Sequence, residues 1–388
     1  MKNNYYHFLF YVLIILFNSN LLSQTSVNVS PANLIVNSAS MVSIQILVNN
    51  VSNLHSASIT MGFDSSVLRY SSISDGAFLQ SNSMGYSVVM FKTLYPNSVS
   101  PNQVKVDQAI LGNASVTGSG LLFTINFTTN HSGQTQISIA DFVLLDLNSN
   151  VISANSISGS VTVSTNLSPK VFLEGPFNGI TMNTTLNSLS YLPLDQPYSK
   201  APWNYSGNES VAAGFFSLHT NIVDWILLEL RSGTSAGSIV SKRAAFLLSN
   251  GNIVDLDGYS PVSFTGPTAG YYYIVIKHRN HLAVMSSGSL ALDIATISYD
   301  FTTSQNQAYN SSYLPMKSLG GDKFGLYSGD ANADGSVDAI DNNAYWRPNK
   351  GKPFDYNQGA DFNMDGSIDT LDVDNCWRPN NGRGTQVP

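Results

Sequence analysis

The chain has 388 residues, a formal net charge of −7 and only 11% charged residues, against roughly 25% in an average soluble domain. Eighteen Lys+Arg against 25 Asp+Glu, with no basic cluster, lack the electrostatic footprint of a nucleic-acid partner, and a single cysteine excludes a disulfide framework and a thiolate zinc site. Hydrophobic residues make up 43%, so cores can form, and the surface left to Ser, Asn, Thr and Gly favours mainly β structure.

Residues 1–23 read as a cleaved secretory signal. Lys2 precedes an apolar run from Phe8 to Phe17, the polar break Asn18-Ser19-Asn20 follows, and Ser23 stands before Gln24. The run is about half the ~20 residues of a membrane span, so no span is expected in the mature chain and the expected address is extracellular. From residue 24 to 165 short alternating runs are separated by turns. Val42-Ser43-Ile44-Gln45-Ile46-Leu47-Val48, Leu121-Leu122-Phe123-Thr124-Ile125-Asn126-Phe127 and Ile157-Ser158-Gly159-Ser160-Val161-Thr162-Val163 are examples. Such period-2 segments predict a β-sandwich.

This region resembles cohesin domains. The strand end Val48-Asn49-Asn50-Val51-Ser52-Asn53-Leu54 leads into Ile59-Thr60-Met61-Gly62-Phe63-Asp64 and Ser65-Ser66-Val67-Leu68-Arg69-Tyr70 in the cohesin order, with Ser65 where proline is usual. Gly118-Ser119-Gly120-Leu121-Leu122-Phe123-Thr124-Ile125-Asn126-Phe127 and the closing Ser160-Val161-Thr162-Val163 are similar to later cohesin strands. The resemblance implies a non-catalytic sandwich that pairs with calcium-loop modules or, in related sandwiches, with carbohydrate.

Asn166-Leu167-Ser168-Pro169 reads as a linker, and residues 170–300 as a second β-sandwich. There Asn250-Gly251 predicts a two-residue hairpin turn, while 223–230 and 271–276 predict core strands. Three groupings in this domain hint at chemistry. His278 and His281, with His219 and with Asp224 or Glu229, contain metal-ligand types, although an extended strand would point the two histidines apart. Asp255-Leu256-Asp257-Gly258 holds two carboxylates but reads more simply as a turn. The aromatic and proline-rich loop from Tyr191 to Tyr205 makes Trp203 and Tyr205 candidate sugar-stacking residues, or staples for the loop itself.

Residues 301–326 read as a linker to a small module at 327–384, which carries the strongest pattern in the chain. Asp330-Ala331-Asn332-Ala333-Asp334-Gly335-Ser336-Val337-Asp338-Ala339-Ile340-Asp341 recurs as Asp361-Phe362-Asn363-Met364-Asp365-Gly366-Ser367-Ile368-Asp369-Thr370-Leu371-Asp372. Oxygen donors at positions one, three, five and twelve, a carbonyl at seven, a ligand through nine and glycine at six describe a Ca²⁺ loop. Two Ca²⁺ ions are expected. The first would be held by Asp330, Asn332, Asp334, Ser336, Asp338 and Asp341, the second by Asp361, Asn363, Asp365, Ser367, Asp369 and Asp372. Val337 and Ile368 at position eight are expected to pair the two loops. Asp at position twelve and the duplication resemble the dockerin repeat. That resemblance assigns positions ten and eleven, Ala339-Ile340 and Thr370-Leu371, to partner choice, although their apolar members are expected to pack inside the module. Pro348 and Pro379 are expected to cut the following helices to about two turns. Trp346 and Trp377 are candidate partner contacts or core residues, and Cys376 a small buried hydrophobe.

The fold expectation is thus mainly β: two β-sandwich domains followed by a small α module of paired calcium loops. The functional expectation is a secreted, non-catalytic binding or scaffolding protein of polysaccharide-binding or -degrading assemblies. Its expected partners are cohesin- or dockerin-bearing proteins, or polysaccharide. A glycoside-active middle domain and a surface adhesin stay open as alternatives.

Overall fold

The computed structural model describes residues 24–37, 40–95, 102–310 and 312–388; the expected signal at 1–23 lies outside the described residues. The chain is mainly β. Strands β1 (Ser26–Ser30), β2 (Asn33–Val36), β3 (Met41–Gly62), β4 (Leu68–Asp75), β5 (Val88–Tyr95), β6 (Gln103–Ile110), β7 (Val116–Thr129), β8 (Gly133–Asp146), β9 (Asn155–Ile157) and β10 (Gly159–Val163) build the N-terminal sandwich. Two expected strands prove to be one. The first half of β3 pairs with β1 and β7, and its second half with β6 and β8. Asn50 and Asn53 adopt φ of +52° and +55°, and the register slips there. Asparagine tolerates that left-handed backbone, so the chain bends and crosses from one sheet to the other without ending.

Alternation does the rest. Ile44, Ile46, Ile59, Met61, Val104, Val106, Ile125 and Phe127 point inward and are buried, while their neighbours face water. Each such side chain stabilises the fold by about 1.5–3 kcal/mol.

Ser164 alone separates β10 from β11 (Thr165–Lys170), so the expected linker is a strand. It runs at the centre of a three-stranded sheet between β15 (Val262–Phe264) and β19 (Ile297–Asp300). Pairing with β15 stops at Leu167, so Pro169 sits where the ladder on that side has ended. The larger sheet runs β14 (Ile253–Val254), β13 (Ile239–Leu248), β12 (Ile222–Arg231), β16 (Gly270–Lys277), β17 (Val284–Met285), with β18 (Leu290–Leu292) on β16. The turn between β13 and β14 falls at the expected place but is a three-residue loop, Ser249-Asn250-Gly251, and not the expected two-residue turn. The Leu248 N–H donates to the Asn252 carbonyl across it, and Gly251, not Asn250, takes the positive φ, at +90°. All ten residues of β12 are buried, the mark of a strand covered on both faces.

The second expected linker also belongs to the fold. Phe301 and Met316 are buried in the core of the middle region, and β20 (Lys317–Gly320) and β21 (Lys323–Gly325) form a hairpin. That same core takes in Tyr356 and Met364 from the C-terminal repeats. At Gly175 a Cβ would lie 1.9 Å from the carbonyl oxygen of Phe362. The middle region and the repeats therefore share one interior.

The repeats carry helical segments over 339–349 and 370–380, about three turns each and longer than expected. The reason is a wide π-type turn ahead of each proline, Asp341–Trp346 and Asp372–Trp377. The Arg347 N–H donates five residues back to Asn342, and Pro348 enters at the start of a fresh turn where its missing N–H costs nothing. The loops do not pair with each other. Val337 pairs with Arg383 beyond the second helix, and the Ile368 carbonyl accepts from Gly351 beyond the first.

Candidate functional site

Strands β8, β3, β6 and β5 turn one face outward. Register places Leu145, Ser56, Ala109 and Val89 in one row, then Val143, Ser58, Asp107 and Phe91, then Asp141, Thr60, Lys105 and Thr93. Phe91 is 66% exposed and Val143 38%. The middle of the face is a shallow depression of about 200 Å³ with Ser58 and Asp107 between the apolar flanks. Small polar residues on the central strands leave the flanking side chains standing proud. A broad, shallow face of apolar flanks with a short polar stripe suits another protein better than a small molecule.

The two acidic loops are built alike. In the first, Asp330 accepts from the N–H groups of Asp334 and Gly335 at 3.1 and 3.0 Å, and Asp341 from Ala331 and Asp338 at 2.8 Å each. In the second, Asp361 accepts from Asp365 and Gly366 at 3.1 and 3.0 Å, and Asp372 from Phe362 and Asp369 at 2.7 and 2.8 Å. Asn332 donates to Asp334 and Asn363 to Asp365, both at 2.8 Å. Gly335 and Gly366 take φ of +92° and +85°, and Ala333 and Met364 also have positive φ. Such non-glycine strain at matched positions marks a conformation over-determined by its surroundings.

Asp330, Asp341, Asp361 and Asp372 are all buried, at 2% exposure or less. Among the described residues no salt bridge reaches any of them. Burial, then the charge of Asp341, pushes Asp330 up to about 8; burial pushes Asp341 to about 6 and Asp372 to about 7. Asp361 rises to about 6 through burial although Arg279 opposes it. Among the described residues no three His, Cys, Asp or Glu side chains converge as a ready-made metal cage. The loops' oxygen sets, however, include Asn332, Asn363 and the Ser336 and Ser367 carbonyls. Buried carboxylates without an ion-pair partner, beside amide and carbonyl oxygens, are a donor set that fits a hard cation.

Each loop is also laced to the opposite helix. The indole N–H of Trp346 donates to the Asp369 carbonyl, and that of Trp377 to the Asp338 carbonyl, both at 2.7 Å. These tryptophans serve the module's own structure. Cys376 is buried, its thiol pushed up to about 12 by burial. Ile340 and Leu371 are 50% and 48% exposed, contrary to expectation, because the helix faces at those positions turn away from the shared interior.

Residues 27–163 match the family model of the cohesin domain. The N-terminal sandwich is cohesin-like. Solved structures similar to it include a non-cellulosomal cohesin from the archaeon Archaeoglobus fulgidus, 16% identical, covering 36% of this chain and 91% of that one at a TM-score of 0.30. A type II cohesin from Acetivibrio cellulolyticus is 16% identical, covering 36% and 95% at 0.31. A cohesin–dockerin complex of Clostridium thermocellum is matched at 15% identity, covering 36% and 99% at 0.30. No curated protein matches the chain.

Behind the cohesin-like sandwich, the middle region's candidate residues are spoken for. A turn after β16 does bring His278 and His281 together, but their ring nitrogens engage protein groups. His278 Nε2 meets Asp224 at 3.2 Å, His281 Nδ1 meets Asn280 at 2.8 Å, and His281 Nε2 accepts from Gly175 N–H. Burial holds both rings below the ordinary histidine value. His219 stacks on Phe215, and Glu229 pairs with Arg231, Lys277 and Lys242. These residues do not form one metal site. Asp255 pairs with Arg243 and anchors a turn. Tyr205 is committed to Glu209 and the Lys242 carbonyl, while Trp203 lies edge-on to Tyr198 and lines a cleft of about 190 Å³.

Sequence reasoning missed the network beneath the second loop. Arg279, 4% exposed, bonds Asp224 at 2.9 Å and lies over the Tyr356 ring, whose hydroxyl also donates to Asp224. Asn280 donates to the Asp361 carbonyl at 2.7 Å. The one available signal was a charged run, His278-Arg279-Asn280-His281, directly after an apolar strand.

Proposed function

We propose that the chain is a secreted, non-catalytic binding and scaffolding protein. Its cohesin-like sandwich captures a partner bearing a dockerin-type module, in extracellular assemblies that bind or degrade polysaccharide. The observation that carries this reading is the exposed β8-β3-β6-β5 face with Phe91 and Val143 flanking Ser58 and Asp107. The signal expected at 1–23 supports export, and among the described residues no helix is long and apolar enough to cross a membrane.

The C-terminal repeats act as a dockerin-like module holding two Ca²⁺ ions, one in each twelve-residue loop, through the residues named above. Ca²⁺ supplies the positive charge that the buried carboxylates need and draws no chemistry beyond binding. Ile340 and Leu371, related by the repeat and both exposed, are the module's contact residues toward a cohesin-bearing partner.

Capture of a panel of dockerin modules by the mature chain tests the face. Wild type should retain at least one, and Phe91→Ala should weaken it by about 30-fold, the effect of a 2 kcal/mol hot spot, with thermal stability unchanged because Phe91 is exposed. Binding indifferent to both Phe91→Ala and Val143→Asp would refute the assignment.

A further inference from the structure

A second cleft, of about 400 Å³, opens on the three-stranded sheet of the middle region. Its floor is a cross-strand ladder of polar residues. Ser168 lies opposite Ser298 and Lys170 opposite Asp300, and Asn252 bridges to Lys170. The backbone N–H of Asn252 donates to Asn250 Oδ1 at 3.0 Å, which ties this edge of the floor to the hairpin turn. Lys170 and Asp300 approach only to 3.9 Å, and both heads are partly exposed, so their charges offset each other while they face water.

Asp300 is held in place by accepting from the N–H and hydroxyl of Thr302 at 2.8 and 2.6 Å. At the rim stands Tyr259, 76% exposed. Its turn is rigid: Tyr259 and Ser260 N–H both donate to Asp257, and Gly258 N–H donates to the Asp255 carbonyl.

We infer that this cleft is a binding site for a neutral oligosaccharide. A sugar ring is apolar on its faces and rich in hydroxyls at its edges. An exposed tyrosine on a fixed turn offers the ring a stacking surface at little entropic cost. Hydroxyl, amide, ammonium and carboxylate heads on the floor offer both donors and acceptors to sugar hydroxyls. An acidic ligand gains little, since Lys170 is matched by Asp300. Pro169, Ile253, Val254, Pro261 and Tyr299 also line the cleft, yet an apolar ligand would have to desolvate the polar ladder. The inference names a ligand site for the polysaccharide setting proposed above and rests on that setting, but it does not depend on the cohesin-like face.

Calorimetric titration of the mature chain with cellohexaose, xylohexaose, mannohexaose and tri-galacturonate tests it. At least one neutral probe should bind. Tyr259→Ala should weaken that binding by about fivefold or more, the loss of one aromatic contact, Tyr259→Phe should retain it, and Ser168→Ala should weaken it less. Melting curves would establish that each variant is folded. No neutral probe binding at millimolar concentration, binding of the acidic probe alone, or binding unchanged in a folded Tyr259→Ala chain would each overturn the inference. Phe91→Ala, run alongside, should lose dockerin capture and keep the sugar, so the two sites succeed or fail separately.

Discussion

The N-terminal sandwich and the body behind it are stabilised in different ways. The sandwich buries aliphatic and aromatic side chains in simple alternation, and its buried polar groups are few and uncharged: Asn82, Gln108, Ser132 and Thr135. The body of middle region and repeats buries Asp224, Glu229, Arg231, Arg279, His278, His281 and the four loop aspartates. Apolar burial tolerates changes of pH and salt, whereas a buried charge is only as stable as its partner. Chemical stress should therefore divide this molecule at Ser164, not between the middle region and the repeats.

Chelation should give the largest effect. With the proposed Ca²⁺ at about a thousandfold over its Kd, one loop would contribute about 4 kcal/mol. Because Tyr356 and Met364 lie in the middle region's core, a chelator should lower the melting temperature of that region together with the repeats and leave the sandwich transition in place. A middle region that melts unchanged in chelator, watched by calorimetry, would show that the shared interior does not couple them. Arg279→Ala comes next. It leaves Asp224 buried without its cation and should cost about 3–5 kcal/mol, again sparing the sandwich; denaturant titration of the two transitions reads this directly.

Acid should discriminate the regions more gently. Burial depresses the folded-state pKa of His278 and His281 below 6.5. Unfolded histidine takes up a proton as pH falls through that value while the folded rings resist. Stability present above pH 6.5 is therefore lost below it, by up to about 1.4 kcal/mol per pH unit for each proton. Melting of the body should shift on going from pH 7.5 to 5.5 at saturating Ca²⁺, and His281→Gln should reduce the shift. An equal shift in the sandwich would remove the contrast.

The smallest effect concerns the joint. Asp293 bonds His131 at 2.6 Å and Ser132 N–H at 2.8 Å, and its carbonyl accepts from Thr165 at 2.8 Å. Burial works against its charge, but the His131 and Ser132 bonds outweigh it and hold the carboxyl below its ordinary value. Asp293→Ala should cost about 1 kcal/mol and loosen the sandwich against the body, seen as faster proteolysis near Ser164. Cleavage at the wild-type rate would show that the joint does not depend on this residue.

Period and spacing alone determined the β character of the chain, the place of the turn at Asn250-Gly251 and the two repeated loops, because these depend on residues near one another in sequence. The alternation of Val42 to Val48 marks an inward face whatever it packs against, and the Asp, Asn and Gly spacing of Asp330 to Asp341 specifies a turn that gathers oxygens. Only the tertiary structure decided that Asn50 and Asn53 bend one long strand between two sheets, and that Thr165–Lys170 is a central strand instead of a linker. It also decided that the wide turn at Asp341–Trp346 carries a helix past Pro348, and that each tryptophan serves the other repeat's loop. Those outcomes turn on partners far along the chain. Arg279 meets Asp224 and Tyr356, 55 residues before it and 77 after it, and a cation can be buried there only because both converge on it.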